Sequence, residues 1–373
     1  MLDTAAMLAD LRQWVEHETP TSEPEAVNRL SRHVEGQFEA LGAQCTRIAG
    51  KDGYGDHLLV ESPWGADSGG VLVLCHLDTV HPIGTLADNP FRIDGDQAYG
   101  PGIYDMKGGA YLAYCAYREI AAKSLHDHRK LRLLYTADEE VGSPTSRALI
   151  EDLAAGAAAV LVVEPAREGG KVVVARRGVA RYVARFQGRP AHSGSKHPDG
   201  RSAIKEMARQ ILDWEAMTDY ERNLSVNVGI VKGGTAFNVV PEEASAYVDI
   251  RVPNPEVTAA AIARFEASKP YDPDVTMTLT GGLNRPAMAP NDATETLFER
   301  AAPIAACHGI ILQGMATGGG SDGNFTYDKA PTLDGLGVDG DGAHTKWEHI
   351  RISSLEERGG FLVDLVADVL GDP

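Results

Sequence analysis

Short apolar runs alternate with amphipathic segments along the first half of the chain. Fully apolar runs of four to eight residues are typical of buried strands, and apolar residues at three- or four-residue spacing are typical of helices. The predicted strands are Val71–Cys75, Leu131–Tyr135 and Ala159–Val163, and the predicted helices are Glu23–Leu41 and Gly108–Ala122. Strands that are apolar on both sides need helices on both sides. The pattern therefore predicts an α/β fold whose mixed sheet is covered by helices on both faces.

The pattern changes near residue 178. The predicted elements that follow are Val179–Gln187 (strand), Ser202–Met217 (helix), Ser225–Val231 (strand), Ala244–Val252 (strand), Val257–Ser268 (helix) and Asp274–Thr280 (strand). This β-α-β-β-α-β order predicts an inserted ferredoxin-like α+β domain at residues 178–287. Residues 1–177 and 288–373 then form the first domain. Its last part contains the predicted helices Ala293–Cys307 and Ser353–Leu370, with a glycine-rich loop between them.

Composition narrows the class of protein. The chain has 373 residues, 43% of them hydrophobic, and a formal net charge of −18. So negative a chain is not expected to bind nucleic acid, since affinity for phosphate comes from clustered lysine and arginine. The longest apolar stretch, Ala154–Val163, is too short to span a membrane, and the N-terminus does not resemble a signal peptide. The four cysteines have no paired spacing, which predicts free thiols and a cytoplasmic location.

Candidate metal ligands follow the predicted strands. His76 and Asp78 come directly after one buried strand, Glu164 ends another, and Asp105 lies among glycines before a helix. An isolated carboxylate at the end of a buried strand is costly unless it is paired or bound to metal. Each motif alone also fits an ordinary turn or helix cap. Asp78 is expected to accept the second ring N–H of a metal-bound His76, which would fix the ring orientation.

Two adjacent glutamates follow the strand that ends at Tyr135. Glu139 and Glu140 allow one carboxylate to bind metal while the other accepts a proton from water. A solvated acidic turn is the alternative. The remaining ligand is predicted to be His344, in a glycine-rich loop, and His308 and His349 are the competing candidates.

A charge count favours two divalent ions. Four carboxylates contribute −4, and two zinc ions contribute +4, so only the doubly loaded site is neutral. The carboxylates counted are Asp105, Glu139, Glu140 and Glu164. Histidine nitrogen and carboxylate oxygen suit zinc, although cobalt and manganese accept the same ligands. The sequence therefore predicts two Zn²⁺ per subunit, with Co²⁺ or Mn²⁺ as possible substitutes.

These motifs together resemble the dinuclear zinc peptidase family that includes carboxypeptidase G, aminoacylases, acetylornithine deacetylase and succinyl-diaminopimelate desuccinylase. The resemblance covers nearly the whole chain. It rests on motifs that occur in the family's order, namely HLDTV, GPGIYDMKGG, the DEE run, VVEPA, GRPAHSG, NVVPEEASAYVDIR, TGGGSDGN and GAHTKWE. TADEEVGS, the RRG at residues 176–178 and the acidic composition resemble the carboxypeptidase G branch in particular.

The resemblance implies a fold of the zinc exopeptidase type and a role for each matching residue. His76 and Glu164 would hold one zinc, Glu140 and His344 the other, and Asp105 would bridge them. Glu139 would act as general base and acid. The resemblance also implies that His192 polarises the scissile carbonyl in the partner subunit's site, so that the inserted domain serves as a lid and dimerisation domain. The implied substrate-binding residues are Asn238, Arg251, Gly318, Gly319 and Gly320.

The residues themselves also favour Arg251 as a clamp for a carboxylate, because it ends a strand in an otherwise acidic chain. The leading hypothesis is zinc-dependent hydrolysis of an amide or peptide bond that releases an amino acid with a free α-carboxylate, as in a glutamate carboxypeptidase. An N-acyl-amino-acid deacylase shares every predicted ligand and is the alternative. A non-catalytic binding protein of the same fold is the remote alternative. A small N-acyl amino acid or peptide is the expected substrate, and a homodimer is expected.

Overall fold

The computed structural model describes residues 2–124 and 129–371. The helices are α1 (Thr4–Val15), α2 (Pro24–Glu39), α3 (Thr85–Asp88), α4 (Gly108–Lys123), α5 (Arg147–Ala154), α6 (Ala203–Glu215), α7 (Pro255–Glu266), α8 (Asp292–Cys307) and α9 (Ser353–Leu370). The strands are β1 (Gln44–Ile48), β2 (His57–Glu61), β3 (Ala66–His76), β4 (Arg92–Asp94), β5 (Gln97–Tyr99), β6 (Arg129–Thr136), β7 (Ala159–Val162), β8 (Val172–Arg176), β9 (Gly178–Gln187), β10 (Ser225–Gly233), β11 (Glu243–Val252), β12 (Thr276–Arg285), β13 (Gly314–Thr317), β14 (Thr332–Leu333), β15 (Gly340–Asp341) and β16 (His349–Arg351).

The described residues divide into two compact units. The larger unit comprises Met1–Ala175, Pro290–Ala316 and Ser321–Pro373, and the smaller unit comprises Arg176–Ala289 and Thr317–Gly320. The insertion expected at residues 178–287 falls within the smaller unit. The smaller unit also includes a short segment of the glycine-rich loop, which lies far along the chain from the rest of it.

The larger unit is built on a mixed sheet with the strand order β1-β2-β6-β3-β7-β14. The strands β6, β3, β7 and β14 run parallel to one another, whereas β2 pairs antiparallel with β6 on one side and with β1 on the other. The three strands predicted from apolar runs are β3, β6 and β7. No apolar run of the sequence predicted β1 and β2.

Both faces of this sheet are buried, as the apolar runs predicted. In β3, Val71, Val73 and Cys75 belong to one core, which also contains residues of α1, α2, α4, α8 and α9. Leu72 and Leu74 belong to a second core on the other face, with residues of α5. Successive side chains of a strand point to opposite faces, so one apolar run supplies both cores.

The smaller unit is an antiparallel sheet with the order β10-β11-β9-β12 and the helices α6 and α7. The predicted β-α-β-β-α-β order is confirmed and gives a ferredoxin-like unit. Ser202 and Asn254 cap the two helices, accepting hydrogen bonds from the main-chain N–H groups of Lys205 and Val257. Such caps satisfy N–H groups that have no partner inside the helix.

The described residues also form two smaller sheets. One has the order β15-β16-β5-β4, and the other pairs β8 with β13. Within residues 2–124 and 129–371, no helix combines the length and the apolar character needed to cross a bilayer. All four cysteines lie in the described ranges, and they form no disulfide there.

Candidate metal centre

Three of the predicted ligands lie at one edge of the large sheet. His76 is the last residue of β3, Glu164 follows β7, and Glu140 lies in a short helical turn, Glu139–Val141, just after β6. These three strands are parallel neighbours. The carboxyl ends of parallel strands meet at the same edge, so residues far apart in the sequence are brought together.

The fourth ligand, Asp105, lies in the helical turn Ile103–Lys107 that precedes α4. Two glycines of this motif have roles that other residues could not fill. Gly102 has a φ of +73°, in the left-handed region that favours glycine. A Cβ on Gly109 would lie 1.9 Å from the main-chain oxygen of Val163, so only glycine allows α4 to lie this close to the residue that follows β7.

The predicted ligands form two groups that share Asp105. One group is His76, Asp105 and Glu164, the other is Asp105, Glu140 and His344, and the ligand atoms of each group lie within 4.8 Å of one another. Asp105 Oδ1 is 3.4 Å from Nε2 of His76, and Asp105 Oδ2 is 3.3 Å from Nε2 of His344. Each oxygen of one carboxylate therefore faces a different group.

Two buried atoms at this centre suit a metal ion. His76 Nδ1 lies 2.9 Å from the main-chain oxygen of Asp78, to which it donates, so the lone pair of the neutral ring is on Nε2. Among the described residues, this Nε2 and Oε1 of Glu140 are buried and have no hydrogen-bond partner. Buried polar atoms are normally paired, and metal ligation would satisfy both of these. The nitrogen and oxygen donors therefore fit divalent metal ions.

The side chain of Asp78 makes different contacts from those expected. Its Oδ1 is 3.5 Å from His76 Nδ1, farther than its own main-chain oxygen. The carboxylate instead accepts hydrogen bonds from the hydroxyl of Thr21 at 2.7 Å and from the main-chain N–H groups of Glu139 and Glu140 at 3.2 Å. Asp78 therefore holds both glutamates through their main chain and orients His76 through its carbonyl group.

The ionisable side chains at the centre lie close enough together to shift one another's pKa. Burial opposes ionisation of Asp105, but the nearby rings of His344 and His76 hold the pKa of this carboxyl well below its usual range. The pKa of His344 is raised to about 10, mainly by its contact with Asp105 and next by its contact with Glu140. Burial disfavours the charged form of His76, yet Asp105 and the other carboxylates raise its pKa well above the usual range. Burial, with the nearby Asp105, raises the pKa of Glu140 to about 7. The shifts of Asp105 and the two histidines have one cause, the short distances between the carboxylates and the two imidazole rings.

His344 is brought to the centre by the loop before β16. Its φ is +64°, a left-handed conformation that is uncommon for a residue other than glycine and costs about 1–3 kcal/mol. The competing candidates lie in other contacts. His308 Nε2 is 2.7 Å from Asp364, and His349 Nε2 is 3.2 Å from the side chain of Gln97. Of the three histidines, only His344 belongs to a ligand group found among the described residues.

The predicted carboxylate clamp, Arg251, lies in the smaller unit and already contacts a carboxylate. Its Nε and Nη2 donate to Oδ1 and Oδ2 of Asp249 at 2.6 and 3.2 Å. Its Nη1 donates to the main-chain oxygen of Gly318 at 3.2 Å, and Arg176 Nη1 lies 3.3 Å from that of Gly319. In this structure the guanidinium of Arg251 therefore supports the glycine loop and pairs internally.

His192 and Asn238 are exposed neighbours in the smaller unit. The main-chain N–H of Ser193 donates to the main-chain oxygen of Asn238 at 2.9 Å, which holds the two segments together. His192 Nδ1 accepts from the N–H groups of Gly194 and Ser195 at 3.1 and 3.2 Å. Because Nδ1 is the acceptor, the proton of the neutral ring is on Nε2, which is therefore free to donate to an external oxygen.

Two buried carboxylates near the centre were not predicted to have a role. Asp138 precedes the glutamate pair, and Glu348 follows His344 by four residues. Both are completely buried. Asp138 belongs to the motif DEE, and Glu348 belongs to GAHTKWE. The motifs could therefore have drawn attention to these residues, but they do not show the contacts that bury them.

Comparison with known proteins identifies the family of the chain. Residues 72–368 match the family described as peptidase family M20/M25/M40. The chain is 30% identical to carboxypeptidase G2 of Pseudomonas sp. (strain RS-16) over 372 residues, which cover 98% of this chain and 89% of that protein. It is also 30% identical to succinyl-diaminopimelate desuccinylase of Novosphingobium aromaticivorans over 206 residues, covering 51% of this chain and 54% of the relative.

Solved structures show the same fold at lower identity. The aminopeptidase PepT of Bacillus cereus ATCC 10987 aligns with a TM-score of 0.79 at 21% identity, covering 99% of each chain. The metallo-carboxypeptidase Sso-CP2 of Sulfolobus solfataricus aligns with a TM-score of 0.73 at 17% identity, covering 99% of this chain and 100% of that one. By its family match and by its identity to carboxypeptidase G2, the chain belongs to peptidase family M20/M25/M40 and is a metallohydrolase.

Proposed function

We propose that this enzyme hydrolyses an amide or peptide bond with two zinc ions and releases an amino acid that carries a free α-carboxylate, as a glutamate carboxypeptidase does. The observation that carries the proposal is the pair of ligand groups sharing Asp105, with a further carboxylate beside them. The likeness to carboxypeptidase G2 over almost the whole chain supports the substrate class.

In this proposal His76 and Glu164 hold one zinc, Glu140 and His344 hold the other, and Asp105 bridges them. When bound, the two ions would polarise the scissile carbonyl and lower the pKa of a water molecule. Ligand residues from five separate segments would converge only in the folded chain. Zinc analysis of the purified protein should give two ions per chain, with Co²⁺ or Mn²⁺ able to replace them.

Glu139 is the proposed general base. Its Oε2 is 4.0 Å from His76 Nε2, and it belongs to neither ligand group. Its carboxylate would take a proton from the attacking water and deliver it to the leaving amine. Glu139→Ala should abolish turnover and leave the zinc content near two per chain. Turnover that survives this substitution would refute the assignment.

Arg251 is proposed to bind the α-carboxylate of the substrate through a bidentate contact. In this structure Nε and Nη2 of Arg251 donate to the carboxylate of Asp249. The substrate's carboxylate would therefore have to replace that of Asp249 or bind the remaining N–H groups of the guanidinium. Asn238 and the loop Gly318–Gly320 are proposed to contact the substrate beside it. Wild type should lose most of its rate when the substrate's carboxylate is amidated, whereas Arg251→Lys should discriminate much less between the two substrates. Equal discrimination by both proteins would count against the clamp.

A deacylase that removes an acetyl or succinyl group is the second candidate. It is favoured by the likeness to succinyl-diaminopimelate desuccinylase and to N-acetyl-L-citrulline deacetylase of Xanthomonas campestris pv. campestris. Both candidates use the same ligands and base. Rates measured on a panel of N-acyl amino acids and of peptides ending in glutamate would distinguish them.

We also propose a homodimer formed through the smaller unit. β10 is an edge strand, and Ile230 and Val231 on it are exposed, as is Leu212 on α6. Exposed apolar side chains on a sheet edge are typical of a surface that pairs with another chain. In such a dimer the Nε2–H of His192 would act on the carbonyl oxygen in the partner subunit's site.

Mixing two inactive variants tests this arrangement. A mixed dimer of Glu139→Ala and His192→Ala chains contains one site with an intact base and an intact histidine from the partner, so mixing should restore about a quarter of the wild-type rate. If His192 acts within its own chain, the mixture stays inactive. Light scattering measures the dimer independently.

The proposed location is the cytoplasm, and the free cysteines support it.

A further inference from the structure

A single buried carboxylate joins three segments of the candidate metal centre. Glu348 is completely buried, and its two oxygens accept four hydrogen bonds, three from main-chain N–H groups and one from a side chain. Oε1 accepts from the main-chain N–H groups of Tyr104 and Asp105, each at 2.9 Å. Oε2 accepts from the N–H of Gly102 at 2.9 Å and from Nε2 of His81 at 2.6 Å.

Each of these segments carries a predicted metal ligand. His81 lies in the loop that begins after His76, the N–H donors belong to the turn that presents Asp105, and Glu348 itself follows His344 by four residues. The hydrogen bond between His81 and Glu348 joins positions 267 residues apart along the chain. Glu348 therefore contacts the segments of three predicted ligands, His76, Asp105 and His344, and is placed to set their relative positions.

The contact with Asp105 is direct. Its own N–H donates to Glu348, so the main chain of the shared ligand cannot shift without breaking a buried, charge-assisted hydrogen bond. A buried carboxylate without its hydrogen-bond donors costs free energy, so the turn that donates to Glu348 is held rigidly. The two oxygens of Asp105 face the two ligand groups at nearly equal distances of 3.4 and 3.3 Å. That balance depends on where the turn is held.

We propose that Glu348 is a positioning residue that sets the placement of Asp105 between the two metal subsites by binding the Gly102–Asp105 turn and His81 at the same time. This inference rests on the proposed function, because it takes Asp105 as the shared ligand. Glu348 does not touch metal or substrate. It acts on the metal only through the residues that it holds.

Replacing one oxygen of this carboxylate by an amide tests the role. In Glu348→Gln the NH₂ group cannot accept a hydrogen bond, so either the N–H of Gly102 or those of Tyr104 and Asp105 lose their acceptor. Zinc affinity is measured by competition with a chelator. Glu348→Gln should bind zinc about 10–100-fold more weakly than wild type, the range found when outer partners of metal ligands are removed. The visible spectrum of the Co²⁺ form should change as well.

The matched control is Glu356→Gln, an exposed glutamate in the first turn of α9. It should keep wild-type zinc affinity and the wild-type cobalt spectrum. A merely structural role for Glu348 would lower the melting temperature of the metal-free protein but leave both metal readouts of the folded protein unchanged. That result would overturn the proposal.

A second pair of variants covers the case in which Glu348→Gln does not fold. His81→Ala removes one donor to Glu348, whereas His81→Gln keeps an N–H donor. Zinc affinity should fall in His81→Ala and recover in His81→Gln, and equal affinities close to wild type in both would refute the positioning role. A wild-type chain that binds no zinc would instead refute the proposed function.

Discussion

The turn that carries Glu139 and Glu140 is closed on one buried carboxylate, and its loss should be measurable. Asp138 Oδ2 accepts from the main-chain N–H groups of Thr145 and Ser146 at 2.6 and 3.2 Å and from the hydroxyl of Thr145 at 2.7 Å. Its Oδ1 accepts from the hydroxyl of Ser146 at 2.6 Å. Asp138 is completely buried, so bulk water does not compete for these donors in the folded protein.

The magnitude follows from counting the bonds. Asp138→Ala leaves two main-chain N–H groups and two hydroxyls without their acceptor. At about 1–3 kcal/mol for each unsatisfied buried group, and with hydroxyls that can rotate to other partners, the free energy of unfolding should fall by about 4 kcal/mol. In Asp138→Asn three bonds keep an oxygen acceptor but lose its charge. At about 1 kcal/mol for each of them, this variant should lose about 3 kcal/mol.

Urea unfolding of the metal-free protein, followed by circular dichroism, measures both losses. Asp152→Asn is the control, because Asp152 is an exposed aspartate on α5, and such surface changes usually stay within about 0.5 kcal/mol. If Asp138→Ala unfolds at the same urea concentration as this control, the hydrogen bonds to Asp138 do not stabilise the turn and the reasoning fails.

Three further predictions concern other parts of the chain. Zinc binding at pH 7 should release protons, and zinc affinity should rise with pH. The reason is that contact with Asp105 raises the pKa of His344 to about 10, whereas a histidine ligand must be neutral. Calorimetry in two buffers that shows no proton release would contradict this. Cys307 should be the one fast-reacting thiol in the folded protein, since it is exposed while burial raises the pKa of Cys115 to about 12; a fast phase that persists in Cys307→Ser would contradict it. Phe265→Ala should cost the smaller unit about 3–5 kcal/mol, because the ring is fully buried 4.9 Å from that of Trp214; a loss below about 1 kcal/mol in urea unfolding would contradict it.

The parts of the fold that were predictable are those with a local cause. The runs Val71–Cys75, Leu131–Tyr135 and Ala159–Val163 are apolar at every position or nearly so, and such short runs are typical of strands buried on both faces. β1 and β2 were missed. They are short, pair at one side of the sheet and include polar and exposed residues, so no apolar run marked them.

The same division holds for the candidate site. The residue types and the order of motifs along the chain were enough to name the five residues that form the two ligand groups, because strand ends in an α/β sheet converge at one edge. They were not enough to show which atom each side chain contacts. His76 donates to the main-chain oxygen of Asp78, and Arg251 pairs with Asp249 two residues away.

By itself, then, the sequence determined the fold class, the ferredoxin-like insertion and the identity of the candidate ligands, since these depend on local patterns and on a known order of motifs. The tertiary structure alone decided how those ligands are held. Glu348 is one glutamate among many in an acidic chain, and it became distinctive only when folding buried it against Gly102, Asp105 and His81. Burial and pairing between distant segments are properties of the packed chain, and no local pattern encodes them.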